Sequence, residues 1–342
     1  MVYIGPLEIP GRLIYDFLHI FILPGFGAIL VLVILIIWAE RKIAGLVQLR
    51  YGPLHVSRRI GGALQLVADL IRYSLQEFIV PENVDKIAYL MAPALALLFA
   101  VIPIAFMPTA PGIAPPIYVE PNLLLILAVI SLAPIFVIVT GVASDNKFAF
   151  IGSLREAFLM ISYEIPFIIS ILSTAFIYGT LDLYEIVEAQ SKAFLGVLLN
   201  PFAALVAYIA ILRITGRFPF EISEAESELV MGPYTEYSGL MYGVAMGIGY
   251  IKLYVYTLLF SIVFLGGWLP ISSTGNIVFD YILGNIILLT KASILMLIAV
   301  FLRSVYPRYR IDQAVRLGWS LILILSGAAV AWSLIIHLII WR

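Results

Sequence analysis

Apolar segments of about 20 residues recur along this whole chain, and each is close to the length of a helix that crosses a bilayer. The charged fraction of 12% is about half of that found in a typical soluble domain. The sequence therefore predicts an all-α polytopic membrane protein that forms a single integral membrane domain over residues 1–342. About eight transmembrane helices are predicted, at residues 15–39, 87–107, 121–142, 156–178, 197–216, 238–265, 281–303 and 317–340.

Basic residues are concentrated in the loops that follow the odd-numbered spans, whereas the even-numbered loops hold almost only Lys192. Because loops rich in lysine and arginine stay in the cytoplasm, the odd-numbered loops are predicted to be cytoplasmic. Both termini then lie on the outer side of the cell membrane. The basic residues of the odd-numbered loops are Arg41, Lys42, Arg50, Arg58, Arg59, Arg72, Lys86, Lys147, Arg155, Arg213, Arg217, Arg303, Arg308, Arg310 and Arg316.

Several kinds of site are not expected in this chain. Its net charge of −1 gives no indication of a nucleic-acid partner. It has no cysteine, which excludes iron–sulfur clusters and thiolate metal sites within the chain itself. His19, His55 and His337 are far apart in sequence and form no metal-ligand motif. We therefore expect no metal or cofactor to be bound by this chain.

One acidic stretch, residues 213–239, interrupts the series of basic loops. It carries five carboxylates, on Glu221, Glu224, Glu226, Glu228 and Glu236. Crowded carboxylates in low-dielectric surroundings repel one another, so some of them stay protonated near neutral pH. Beside a membrane, such a cluster indicates a proton path, and helical spacing predicts that Glu224 and Glu228 share one face. The alternative is a solvated loop with acids at the start of a helix.

Three further charges fall inside predicted spans. Glu164 precedes Pro166 in the fourth span, Lys252 lies in the sixth and Lys291 in the seventh. Charges at such depth are costly and usually face a partner or a wet cavity. We assign them to the same proton or coupling path. A purely structural ion pair between Glu164 and Lys252 is the alternative interpretation.

The first loop contains an amphipathic segment, residues 57–77. Its apolar residues recur at helical spacing, whereas charged and amide side chains occupy the other positions. The pattern predicts a helix lying along the membrane surface. A helix packed on a partner subunit would show the same pattern. The apolar positions are Ile60, Leu64, Val67, Ala68, Ile71 and Leu75.

The odd-numbered loops together resemble those of one family. The motifs are AERKIAGLVQLRYGP at Ala39–Pro53, SDNKFAFIGSLR at Ser144–Arg155 with ISYEIP at Ile161–Pro166, the acidic residues of Pro219–Gly239, and PRYRIDQ with RLGW in Arg303–Trp319. In this order they resemble the NuoH family, the membrane subunit of respiratory complex I beside the quinone site. Residues 61–77 resemble its surface helix.

The resemblance implies a subunit that anchors a cytoplasmic redox arm and couples it to ion-pumping membrane subunits. Iron–sulfur clusters would reside in the partner subunits, and this chain would carry no redox centre of its own. Partners would be hydrogenase-like or quinone-module subunits of the arm, together with antiporter-like and small membrane subunits. By position, Glu164, Glu221, Glu224, Glu226 and Glu228 would belong to an acidic channel. Residues implied in arm docking or loop positioning are Glu40, Arg41, Arg50, Asp69, Arg155, Arg217, Arg308, Arg310 and Asp312.

One segment departs from the family pattern, and three functions remain open. Many quinone-reducing members read Glu-Thr-Asn-Arg-x-Pro-Phe-Asp where this chain has ITGRFPFE at Ile214–Glu221. The resemblance therefore allows a ferredoxin-linked hydrogenase or sulfur-reducing relative as well as a true quinone oxidoreductase using NADH or F420. A stand-alone secondary transporter is an alternative from another class. No internal repeat of the two halves, as transporters often show, is present in the sequence.

Overall fold

The computed structural model describes residues 12–57, 59 and 61–340, which form helices joined by loops of varied length. The predicted membrane domain of residues 1–342 thus extends at both ends beyond the described residues. The helices are α1 (Arg12–Phe21), α2 (Phe26–Val47), α3 (Gln65–Leu75), α4 (Lys86–Val101), α5 (Asn122–Ile130), α6 (Leu132–Ala143), α7 (Lys147–Tyr178), α8 (Leu183–Lys192), α9 (Gly196–Leu199), α10 (Pro201–Ile214), α11 (Glu226–Leu229), α12 (Gly239–Leu265), α13 (Ile277–Val305), α14 (Ile311–Leu317) and α15 (Leu323–Ile340).

Seven helical segments of the described chain are long and apolar enough to cross a membrane, which confirms the predicted all-α polytopic class. Some reach well beyond the predicted ends. Helix α7 begins at Lys147 because the Asn146 side chain accepts a hydrogen bond from the Phe148 N–H and caps its first turn. The seven segments are Arg12–Val47, Lys86–Phe106, Asn122–Ala143, Lys147–Tyr178, Gly239–Leu265, Ile277–Val305 and Ile311–Ile339.

The fifth predicted span, residues 197–216, is shorter than expected. Helix α10 has 14 residues, or about 21 Å, against about 30 Å for a bilayer core. Its start is fixed by Pro201 and by Asn200, whose side chain accepts a hydrogen bond from the Ala203 N–H at 3.0 Å. The Asn200 amide also donates to the Ala329 carbonyl at 3.0 Å, so this irregular backbone is buried in protein.

The surface helix is also shorter than predicted. Of residues 57–77, only Gln65–Leu75 is helical, while residues 58 and 60 lie outside the described part. Gly61 and Gly62 have φ values of 62° and 80°, which place a turn where the pattern predicted helix. Leu66 of this helix is buried, whereas Leu70, Ile71 and Leu75 are exposed. Its location on a membrane surface stays a prediction.

The packing brings the odd-numbered loops to one end of the bundle, which we call the odd-loop face. Helix α7 packs on α6, α10 and α15, and α12 packs on α4, α10 and α13. The loop from α10 to α12 therefore meets the first turns of α7 and the ends of α2 and α13. This loop contains the acidic stretch.

Candidate functional site

Aromatic packing fixes the start of the acidic loop, residues 217–238. Phe220 is buried between Tyr163 of α7 and Tyr309, with ring centroids 5.2 Å and 5.6 Å away. The Tyr309 N–H donates a hydrogen bond to the Pro219 carbonyl at 3.0 Å. The loop therefore contacts both α7 and the segment that follows α13.

Close backbone packing fixes the middle of the same loop. Gly232 has a φ of 55° and lies against Gly152 of α7, where a Cβ would be 2.8 Å from the Gly232 Cα. A Cβ on Gly232 itself would be 2.0 Å from the Ser223 carbonyl oxygen. The two glycines thus allow an approach that any side chain would prevent.

Buried ion pairs join this loop to α2 and α13, which belong to the first and sixth of the seven membrane-length segments. Glu40 of α2 is 6% exposed and accepts a hydrogen bond from Arg217 Nη1 at 3.2 Å. Arg303 of α13 contacts the same carboxylate and lies 3.4 Å from the Glu221 carboxylate. The Arg217 guanidinium also lies 3.7 Å above the centre of the Tyr250 ring. Charges removed from water need such partners, so the network fixes the relative position of the three elements.

A second buried pair lies beneath the loop. Arg213, at the end of α10, is 1% exposed and donates hydrogen bonds to both carboxylate oxygens of Glu156, at 2.9 Å and 3.2 Å. Sequence reasoning missed this pair, since Glu156 was not among the predicted site residues. The signal was present, because Glu156 and Glu164 are eight residues apart and share the buried face of α7.

Glu224 is held beside this buried pair. Burial, together with the negative charge of Glu156, raises the pKa of the Glu224 carboxyl to about 7, while Lys252 and Arg217 oppose the shift. A group with this pKa gains and loses a proton near neutral pH. The loop therefore carries a titrating carboxyl next to charges that belong to three helices.

Glu221 is the second titrating group of the loop. Burial and the neighbouring charge of Glu224 raise the pKa of the Glu221 carboxyl to about 7, against the effect of Arg308 and Arg217. The negative charge of Glu224 therefore raises the proton affinity of Glu221. We call Glu221 and Glu224 the inner acids.

The remaining predicted acids of the loop lie in different surroundings. Helix α11 begins only at Glu226, so the prediction that Glu224 and Glu228 share a helical face was wrong: Glu224 lies in the preceding turn. Glu226 and Glu228, the outer acids, are exposed, and Glu228 pairs with Arg155 of α7. Glu236 accepts a hydrogen bond from the Asn146 side chain. The structure therefore separates the predicted cluster into parts.

Two charged residues lie deeper, on α7 and α12. Glu164 is buried, and its Oε1 has no hydrogen-bond partner among the described residues. Lys252 is buried and donates to the Ile214 carbonyl at 2.9 Å, at the end of α10. Among the described ion pairs, none joins Glu164 to Lys252. The lysine instead binds a helix C-terminus, where its positive charge is favoured.

Lys291 lies away from the acids. Its ammonium group donates hydrogen bonds to the carbonyls of Leu265, Gly267 and Leu269, at 2.7 Å, 2.9 Å and 2.7 Å. These carbonyls belong to the end of α12 and the loop after it. The contacts account for all three donors of the ammonium group.

The predicted docking residues have several environments. Arg41 pairs with Asp69 of α3 at 2.8 Å and so ties the surface helix to α2. The Arg308 guanidinium lies 5.3 Å from the centre of the Phe218 ring. Arg50, Arg310 and Asp312 are exposed on the odd-loop face. Within the described part of the chain, no group of three or more His, Cys, Asp or Glu residues could hold a metal ion.

Comparison with known proteins places this geometry in a family. The NADH dehydrogenase family model matches residues 20–334. The H subunit of NADH-quinone oxidoreductase from Geobacillus sp. (strain WCH70) is 38% identical over 86% of each chain. The same subunit from Rhodospirillum centenum is 35% identical over 92% of this chain and 91% of its own. The H subunit of the F(420)H(2) dehydrogenase from Methanosarcina mazei is 34% identical over 87% of each chain. With a match that spans most of its length, this multi-pass membrane chain belongs to the NADH dehydrogenase family of NuoH-type subunits.

Proposed function

We propose that this chain is the membrane anchor of a complex I-related, ion-translocating oxidoreductase in the cell membrane. Its odd-numbered loops face the cytoplasm and bind a redox arm whose subunits carry iron–sulfur clusters. The arm subunits are hydrogenase-like or of the quinone-module type, and antiporter-like and small membrane subunits pack against the bundle in the lipid bilayer. The chain couples electron transfer in the arm to translocation of protons or sodium ions.

The inner acids are the observation that supports this proposal. Glu221 and Glu224 have pKa values of about 7 and lie on a loop that is bonded to α2, α7 and α13. A redox event above the loop that alters the local charge would therefore change how many protons the pair holds. Because the loop is fixed by buried contacts, such a change reaches the spans directly.

The free energy of a pKa change in these acids is comparable with the free energy needed to move a charge across a membrane. A change of one pKa unit corresponds to about 1.4 kcal/mol. Moving one charge against 100 mV costs about 2.3 kcal/mol. A shift of about two units in the inner acids would therefore be sufficient to drive one charge inward. The route inward passes the Glu156–Arg213 pair and Lys252 and reaches Glu164, the buried carboxyl of α7.

The outer acids provide the matched control for a test. We expect Glu224→Gln and Glu221→Gln to reduce the number of ions pumped per electron in the assembled complex in vesicles. Glu228→Gln changes the same chemical group in an exposed position four residues from Glu224 and should leave the ratio unchanged. Normal pumping by the Glu221→Gln/Glu224→Gln double variant would contradict the coupling role.

Quinone reduction in the adjoining arm is the main alternative within this family. It is favoured by the names of the relatives from Geobacillus and Rhodospirillum, which are NADH-quinone oxidoreductase subunits. The departure at Ile214–Glu221 favours a ferredoxin-linked complex instead. Identifying the catalytic subunit that co-purifies with this chain distinguishes the two. A chain that purifies alone and transports ions alone would instead be a secondary transporter.

A further inference from the structure

The last turn of α2 and the turn that follows it present apolar side chains with no partner in the described chain. Leu46 is 73% exposed, Leu49 is 97% exposed and Tyr51 is 92% exposed. We call these three residues the apolar tip. Side chains of this size are rarely so exposed together on a folded surface unless something covers them.

The backbone at Leu49 gives an independent indication. The Arg50 N–H donates to the Gly45 carbonyl and the Leu49 N–H to the Leu46 carbonyl, which is the hydrogen-bond pattern of a Schellman C-cap. In this motif the residue after the cap has a left-handed conformation and is usually glycine. Here it is Leu49, with a φ of 55°. Leucine is unfavourable there, and its side chain gains no contact inside the chain in return.

The tip is held rigidly. Gly45 and Gly52 pack so closely that a Cβ on Gly45 would lie 3.0 Å from the Gly52 N atom. A Cβ on Gly52 would lie 3.0 Å from the Arg41 carbonyl oxygen. The turn is therefore folded back on the last turns of α2, and a partner would meet side chains that are already in place.

The position of the tip argues against lipid as its cover. Glu40 lies among the loops of the odd-loop face, where it contacts Arg217 and Arg303. The turn that carries the tip folds back beside Arg41 and Lys42, because a Cβ on Gly52 would lie 3.0 Å from the Arg41 carbonyl oxygen and 3.1 Å from Lys42 Cδ. The tip therefore lies beside charged residues of the odd-loop face. Arg50, between the two most exposed residues, is itself exposed and makes no ion pair within the described chain. An acidic rim on the partner would complement it.

We propose that Leu49 and Tyr51 form a preorganised anchor that inserts into an apolar pocket, rimmed by acidic side chains, on a cytoplasmic subunit of the redox arm. This inference rests on the proposed function, because it requires an arm. It assigns the main apolar contact of the docked arm to two residues, whereas the charged residues around them set its orientation.

Site-specific labelling tests the proposal directly, because the chain contains no cysteine. A Leu49→Cys variant of the complex is treated with a water-soluble maleimide before and after the arm is removed with a chaotrope. We expect labelling of this chain to be at least tenfold slower while the arm is bound. Phe194→Cys, a 65% exposed position after α8, is the control and should label equally in both states.

Removal of the Leu49 side chain provides a second test. Leu49→Gly suits the left-handed position, so the thermal midpoint of the membrane part should stay the same or rise. Retention of the arm in a salt wash should fall at least tenfold, and Arg50→Glu should weaken it further. Fast labelling of Leu49→Cys with and without the arm, or slow labelling in both states because lipid covers the tip, would overturn the proposal.

The outcome also separates this inference from the proposed function. If the wild-type complex carries a cluster-bearing arm and Leu49→Gly retains it fully, only the anchor is refuted. If the wild-type chain purifies with no arm at all, the proposed function and the anchor both fail.

Discussion

The inner and outer acids of one loop are only a few residues apart, yet they differ in almost every physical respect. Glu221 and Glu224 are packed among buried arginines and a buried lysine, and their pKa values are about 7. Glu226 and Glu228 are exposed, and Glu228 forms an ordinary ion pair with Arg155. Residue type and sequence position are thus nearly the same in the two pairs, and burial distinguishes them.

The comparison shows where a proton can be stored. Withdrawing a carboxylate from water and placing it beside another negative charge raises its pKa, as at the partly buried Glu221 and Glu224. The loop therefore has an inner part suited to proton exchange and an outer part suited to surface contacts. Four substitutions test this distinction, and the largest effect is expected where the altered side chain is most deeply buried.

The largest effect is expected from Arg213→Met. The change leaves the Glu156 carboxylate buried without its bidentate partner, and loss of one member of a buried pair costs about 3–5 kcal/mol. Thermal unfolding of the purified membrane part should show a correspondingly lower midpoint. If the free energy of unfolding fell by less than about 1 kcal/mol, the surroundings of Glu156 and Arg213 would be much more hydrated than their burial indicates.

Gly232→Ala is expected to disturb the inner acids selectively, at a cost of about 2–3 kcal/mol. The new Cβ would lie 2.0 Å from the Ser223 carbonyl oxygen, so the turn that carries Glu224 must move. Gly216→Ala is the matched control, since Gly216 also has a positive φ, of 64°, but nothing lies within 4 Å of its Cβ position. Ion pumping should fall in the first variant only, and equal pumping in both would show that the turn tolerates displacement.

Glu224→Gln should change how stability depends on pH. A carboxyl with a raised pKa binds its proton more tightly in the folded state, so the free energy of unfolding falls as pH rises from about 4.5 to about 7. Removing this group should reduce that fall by about 1–3 kcal/mol. The same substitution removes a negative neighbour and so lowers the pKa of Glu221. Melting curves across this pH range, with Glu228→Gln as the unaffected control, test both statements.

The smallest effect is expected from Arg155→Ala. The Glu228 side chain is 55% exposed, and exposed ion pairs contribute about 0–1 kcal/mol. Unfolding in low and high salt should differ little between the variant and the wild-type protein. A decrease in the free energy of unfolding as large as that for Arg213→Met would contradict the distinction between the surroundings of the inner acids and those of the outer acids.

Much of the fold could be predicted from the sequence, because bilayer-length apolar runs leave few alternatives. The all-α polytopic class and most spans followed from hydropathy alone. The fifth span could not be placed correctly, since its short helix depends on Asn200 contacting Ala329 in a distant span. The surface helix was predicted too long because the pattern of apolar residues continued through Gly61 and Gly62.

The candidate site was predicted in composition but not in arrangement. The acids of the loop and Glu164 could be singled out, because carboxylates are rare in such a chain. Which of them are buried depends on tertiary contacts, such as that of Gly232 with Gly152, that no local pattern encodes. The role of Arg303 between Glu40 and Glu221 likewise joins residues far apart in sequence.

The ammonium group of Lys291 has a mechanical consequence. It binds one carbonyl at the end of α12 and two in the loop that follows, so sliding α13 along α12 would leave a cation and these backbone acceptors without hydrogen bonds in an apolar medium. This contact therefore ties α13 to the end of α12 that lies opposite the acidic loop.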